Sequence, residues 1–115
     1  MSFRWPIKDP DETLDYSIDW SRFLDTAIIN SVKWFVKSSL YTTKTELAAG
    51  QNLTTASSNA TTDSIQNISQ TNTNTVTTIN IAGGQNNVEY TFFCQMTDNT
   101  GSTAERSVKL KLKER

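Results

Sequence analysis

Residues 88–114, VEYTFFCQMTDNTGSTAERSVKLKLKE, alternate apolar and polar side chains on either side of a turn. Tyr90, Phe92, Cys94 and Met96 fall on every second position, with Thr91, Gln95 and Thr97 between them. After NTGS, Val108, Leu110 and Leu112 keep the same period, interleaved with Lys109, Lys111 and Lys113. A period of two with one apolar and one wet face marks a half-buried strand. Asn99 and Gly101 tolerate the left-handed backbone of a tight connection, so the two strands form a hairpin.

Upstream, VTTINI (residues 76–81) puts Ile79 and Ile81 on one face and ends at Gly83 and Gly84, a pair that supplies positive φ. IINSVKWFVKS (residues 28–38) puts Val32, Trp34 and Val36 on one face among β-branched neighbours, as a central strand does. DPDETLDYSIDWSRFL (residues 9–24) opens acidic, then alternates Tyr16, Ile18 and Trp20, with Leu24 closing the segment before a polar turn at Asp25 and Thr26. A helix over this stretch ranks second, because Leu14, Ile18 and Phe23 are unevenly spaced for one.

Pro6 and Pro10 each remove a backbone donor and push Trp5 and Asp9 toward extended geometry, so residues 1–12 read as an extended N-terminal arm and not a strand. Phe3, Trp5 and Ile7 line one edge of it. Residues 13–115 read as the body, with a polar insertion near residues 40–66. There Leu40, Leu47, Leu53, Ile65 and Ile68 suffice for one or two short strands, while NLTTASSNATTDS (residues 52–64) has little to bury and reads as a mobile polar loop. About seven strands, and no helical period to cover a parallel sheet, give an all-β, antiparallel, immunoglobulin-like β-sandwich with an extended N-terminal arm. Trp34 and Cys94 echo the immunoglobulin pattern, although the second cysteine is missing and Tyr90 precedes Cys94 by four residues.

The totals exclude much. At 115 residues with eleven aromatics the chain can close one core, and two domains are not expected. A net charge of −1 gives no general field for nucleic acid or an anionic membrane, and no apolar run reaches the roughly 18 residues of a spanning helix. No histidine is present, which removes the usual base of a nucleophilic triad and the commonest neutral metal ligand. Cys94 is the only cysteine and faces the core side of its strand, so it reads as an inert thiol. Gly83 and Gly84 precede no helix and form no phosphate loop. The expectation is a non-enzyme with no cofactor, no metal and no small-molecule substrate.

The acidic cluster Asp9, Asp11, Glu12, Asp15 and Asp19 is the one concentration of chemistry. It lacks the glycine and distal glutamate of an EF-hand loop, and paired-carboxylate catalysis would need a cleft that a small sandwich does not build. It reads as an acidic hinge between arm and first strand, with Asp9, Asp11 and Glu12 orienting the arm or meeting a basic partner. Phe3, Trp5 and Ile7 are the expected interface anchors in a neighbour's groove, aromatics on an ordered arm being frequent hot spots. The alternative is that they cap this chain's own core.

KDPDETLDYSIDWSRFL (residues 8–24), SVKWFV (residues 31–36) and the segment from TTINIAGG to the end (residues 77–115) resemble the small tailed-bacteriophage fiber–tail adaptor proteins. The specific part is the acidic Asp-Pro-Asp opening that runs into Tyr16, Asp19 and Trp20. The closing match, through Gly83, Gly84, Tyr90, Gly101, Glu105 and Arg106, is shared with many immunoglobulin-like domains, and the stretch near residues 40–66 departs from the family. The resemblance implies a virion structural protein: an adaptor joining tail or neck to tail fibers through contacts with other virion proteins. It further implies a symmetric homo-oligomeric ring in the tail or neck of the virion, assembled in the host cytoplasm, with no catalysis. Rival readings are a capsid decoration (cement) protein and a carbohydrate-binding host-adhesion module, for which Tyr41, Phe35 and Phe93 are the available aromatics.

Overall fold

The structure, a computed structural model, describes residues 3–39, 43–53 and 64–114. Among them, β1 (Phe3–Arg4), β2 (Leu14–Asp19), α1 (Ser21–Leu24), β3 (Ile29–Ser38), β4 (Thr45–Glu46), β5 (Gln66–Asn72), β6 (Val76–Ala82), β7 (Glu89–Asp98) and β8 (Thr103–Lys111) follow in chain order. The strands form two sheets, β1-β8-β7-β3-β4 and β2-β6-β5. Neighbouring strands run antiparallel, except that β1 lies parallel to β8. The all-β expectation holds, and the hairpin of residues 88–114 is its centre.

Alternation decides which face each strand buries. In β7, Tyr90, Phe92, Cys94 and Met96 are fully buried while the residues between them are half-buried. Register places Trp34 beside Cys94, and Phe92 between Val36 on one side and Val108 on the other. The smaller sheet contributes Tyr16, Ile18, Ile79 and Ile81 to the same core. Thr77 shares this inner row, and its buried hydroxyl accepts hydrogen bonds from Trp20 Nε1 at 3.0 Å and from the Cys94 thiol at 3.4 Å. Buried polar atoms are retained when paired in this way. Burial pushes the Cys94 thiol up to about 11, so it stays protonated and unreactive at neutral pH, as its sequence position suggests.

Two features depart from the pattern read in the sequence. The alternation of Tyr16, Ile18 and Trp20 holds and ends at buried Trp20, where Phe23 and Leu24 donate their N–H groups to its carbonyl at 2.9 and 3.0 Å and make the single turn of α1. Leu24 thereby reaches the core while Phe23 is thrown outward, 44% exposed, and Asp25 at φ 55° starts the passage to the other sheet. Ile68 sits where the β5–β6 register shifts, and a bulge that adds one residue turns the side chains around it, leaving Ile68 exposed. The polar middle keeps to its reading as one or two short strands: Leu47, Leu53 and Ile65 are fully buried beside β4 and β5. Buried Asn67 ties this region to β5, donating from Nδ2 to the Leu47 carbonyl at 3.0 Å. Residues 54–63 of the expected mobile loop, Leu40 and Tyr41 lie outside the described residues.

Part of the arm is a strand, contrary to the reading of it as none: Phe3 and Arg4 form β1. Trp5 N–H donates to the Lys109 carbonyl at 2.9 Å and Lys8 N–H to that of Lys111 at 3.1 Å. Pro6 has no donor to give, and the ladder skips it and resumes at Lys8. The glycine pair does what its composition suggests. Gly84 (φ 104°) passes so close to Leu112 that a Cβ would lie 2.8 Å from its Cγ, and Gly83 (φ 71°) is equally closed by the Ser64 carbonyl at 2.3 Å. Thr77→Val, nearly isosteric, is expected to lower the unfolding free energy by about 1–3 kcal/mol, since it leaves the Trp20 indole N–H unpaired in the core. Urea denaturation reads this directly, and an unchanged midpoint would show that the hydroxyl does not hold the ring.

Candidate functional site

The features that set this sandwich apart gather on its N-terminal flank, where the arm closes the gap between β8 of one sheet and β2 of the other. In β2, Trp20 N–H bonds to the Thr75 carbonyl, so alternate residues back to Leu14 turn their main chain toward β6. Asp15, Ser17 and Asp19 therefore direct theirs away from it, into the flank. Trp5 covers part of this edge, donating from Nε1 to the Ser17 carbonyl at 3.3 Å. Its ring stacks on Tyr16 with centroids 4.7 Å apart, and lies 5.8 Å from Phe92 and 6.0 Å from Trp34. The Tyr16 hydroxyl returns a hydrogen bond to the Pro6 carbonyl at 3.4 Å.

Below Trp5 the arm buries a charge. Lys8 is fully buried, and its Nζ donates to the carbonyls of Gly83 at 2.8 Å and Asp9 at 2.9 Å. Burial pulls its pKa down, while the carboxylates of Glu12, Asp9 and Asp11 pull the other way. Those carboxylates also build the turn that follows. Glu12 Oε1 accepts from the Asp9 N–H at 2.9 Å, the Asp9 carbonyl from the Glu12 N–H at 3.0 Å, and Asp9 Oδ1 from the Asp11 N–H at 2.8 Å. The acidic segment is therefore the counter-charge of a buried lysine. Among the described residues, no three histidine, cysteine, aspartate or glutamate side chains converge to hold a metal ion.

Of the expected anchors, Trp5 lies in this chain's own core at 9% exposure, the alternative left open by the sequence. Ile7 projects to solvent at 44%, and the Phe3 main chain pairs opposite Val108. Asp9, Asp11 and Glu12 come together in one turn, with Asp11 exposed. The aromatics Phe35 and Phe93 face each other on the outer side of the larger sheet. Lys44 Nζ sits 5.0 and 4.7 Å from their ring centroids, and Lys44 also pairs with Glu105.

Sequence reasoning missed Lys8, Arg4 and Arg106. Arg106 was visible, since it falls on the same parity as Val108, Leu110 and Leu112 and so points inward, where its guanidinium lies 5.1 Å from the Trp20 ring centroid. Arg4 pairs with Glu89 at 2.8 Å across the outer face, and this bond holds the Glu89 carboxyl below the usual range. No sequence signal announces that pairing, because it depends on the parallel register of β1.

Residues 8–55 match the family model described as Podophage GP4 fiber-tail adaptor protein gp77. The fiber–tail adaptor resemblance holds over this stretch. It takes in Lys8, the acidic turn, β2, α1, β3 and β4, and continues into the region that sequence reading set apart as an insertion. The closing hairpin lies outside it. No curated protein gives a significant match to the chain. The name describes a structural part of a phage, joining tail and fiber.

The buried lysine makes a pH prediction. Its folded-state pKa lies below the ordinary lysine value of 10.5. Between those two values the unfolded chain binds the extra proton, so the penalty for burying the charge is full below the folded pKa and is relieved as pH rises toward 10.5. The stability difference between wild type and Lys8→Met is therefore expected to shift toward wild type across that window. Denaturant midpoints of both proteins along a pH series check it, and a difference independent of pH would refute the lowered pKa.

Proposed function

We propose that this protein is a non-enzymatic virion structural protein, an adaptor that joins a phage tail or neck to its fibers by protein–protein contacts. The observation that carries this reading is the fiber–tail adaptor match over residues 8–55, which coincides with the arm's acidic hinge and the strands it feeds. Neither the capsid-decoration nor the carbohydrate-binding reading gains an observation of that kind. The proposal includes location in the tail or neck region of the virion, assembly in the host cytoplasm and a symmetric homo-oligomeric ring, in which repeated weak contacts would add by avidity. It also includes an immunoglobulin-like topology. The facing of β8-β7-β3 against β2-β6-β5 supports that topology, as does Trp34 paired with Cys94 at the centre.

Within the arm, the proposed division of labour follows exposure at Trp5, Ile7 and Asp11, with Phe3, Asp9 and Glu12 assigned to the contact as their neighbours. Trp5 fastens the arm internally, while Phe3, Ile7 and the carboxylates of Asp9, Asp11 and Glu12 form the contact presented to a neighbouring virion protein. Ile7 is an exposed aliphatic beside an acidic turn, a combination suited to a partner patch with an apolar centre and a basic rim. Ile7→Asp changes an exposed side chain and should leave the melting temperature of the isolated protein within a degree or two, as surface changes of roughly 0.5 kcal/mol or less do, whereas Asp11→Lys also reverses one of the charges that favour Lys8 and should lower it somewhat further. In phage carrying them, particles are expected to lack attached fibers when viewed by electron microscopy. Fully fibered particles from both variants would overturn the arm as the contact region.

A further inference from the structure

We propose that the outer face of the larger sheet is a docking surface for a second copy of this chain, which lays Ile7 and the acidic turn of its arm over Phe35, Phe93 and the lysines around them. The face is set by parity. Residues opposite one another in paired strands point to the same side, so Lys33, Phe35 and Lys37 of β3 share it with Gln95, Phe93 and Thr91 of β7. Its centre is apolar, two half-buried phenyl rings side by side. Lysines form the margin: Lys44 Nζ lies 5.0 and 4.7 Å from the ring centroids of Phe35 and Phe93, and Lys37 Nζ 5.7 Å from that of Phe93.

The face holds more positive charge than it neutralises. Arg4 and Lys109 share Glu89, and Lys44 takes Glu105. Lys33 and Lys37 stand opposite Gln95 and Thr91, which carry no charge, and among the described residues neither enters an ion pair. Lys111 lies opposite Glu89, whose carboxylate is already shared, and Glu46, opposite Phe35, is the one further carboxylate on the face among the described residues. Cations therefore remain in excess. The two unpaired lysines of β3 are four positions apart, about 13 Å along a strand, with Phe35 between them.

The complement of this face is on the same chain. A net charge of −1 requires acid elsewhere to balance the basic face, and the turn of the arm supplies it, with exposed Asp11 close in sequence to exposed Ile7. An aliphatic tip beside carboxylates answers an aromatic centre beside ammonium groups in both shape and sign. The contact cannot form within one copy. Hydrogen bonds between Lys8 and β8 fix the arm at the flank, and the turn runs on into β2 of the other sheet, away from Phe35 and Phe93. Each copy thus gives its turn to one neighbour and its sheet face to another. Such a heterologous contact is the kind that closes into a ring when the rotation between copies allows it.

The inference rests on the homo-oligomeric reading proposed above and names the surfaces that meet. Its test uses the isolated full-length chain, so a failure here leaves fiber attachment in phage as a separate question. The average mass is followed by light scattering from about 10 μM to 1 mM, the weak end of specific binding. Wild type is expected to associate as concentration rises, and about 0.5 M salt to weaken the association, because exposed charges are screened. Lys33→Glu combined with Lys37→Glu should weaken it roughly tenfold or more, as should Ile7→Lys, while arginine at both lysine positions should preserve it. Mixing decides the geometry. The Ile7→Lys chain keeps its sheet face and the double lysine variant keeps its turn, so together they should form a one-to-one dimer that neither forms alone. Circular dichroism checks folding, and if one variant fails to fold, the other and the salt dependence of wild type still decide. Any of three results overturns the proposal: a wild type that stays monomeric throughout, association unchanged in the folded variants, or a mixture no more associated than its components.

Discussion

One indole ties the two sheets together along the N-terminal flank. Trp5 is held in its main chain by β8 and in its side chain by β2, and its ring meets aromatics from β2, β3 and β7. Packed rings of this size contribute more buried area than other side chains and favour offset or tilted contacts like those seen here. The arm is thus part of the core, and whatever it offers to a neighbour must come from its outward side. This constraint separates Trp5 from Ile7 although the two lie two residues apart.

Burying Lys8 beneath that indole looks costly, because an ammonium gives up water that two carbonyls only partly replace. The acidic turn reduces the cost electrostatically. Its three carboxylates all favour the charged form of Lys8, and two of them also accept backbone hydrogen bonds that fix the turn. The same arrangement selects a register. Sliding the arm by one residue would bring Ile7 or Asp9 to the place facing the Gly83 carbonyl, and neither can donate a side-chain hydrogen bond there.

The hairpin of residues 88–114 and the strands carrying Trp34 and Ile79 were legible because each buries one face and solvates the other, so the period of two survives in the residue types. The segment after Trp20 was not, since one helical turn leaves no period to read and its end is set by Asp25 at positive φ. β1 escaped for another reason. Its two residues owe their pairing to a strand a hundred positions away, and Pro6, which argued against a strand, sits where the ladder tolerates a gap. The acidic cluster was visible as chemistry but not as purpose, because its partner, Lys8, reads in sequence as one more surface lysine. Arg106 could have been found by parity alone.

The parallel pairing of β1 with β8 has a consequence for biosynthesis. A ribosome delivers Trp5 long before its main-chain partner Lys109. Until β8 emerges, the sandwich lacks the edge on which the arm lies, and the early indole has no permanent home. Contacts between residues so far apart in sequence close slowly, since the chain must lose its loop entropy before they repay it. In the nascent chain the indole therefore waits for β8, and the flank on which assembly is proposed to depend closes only once that strand has been made.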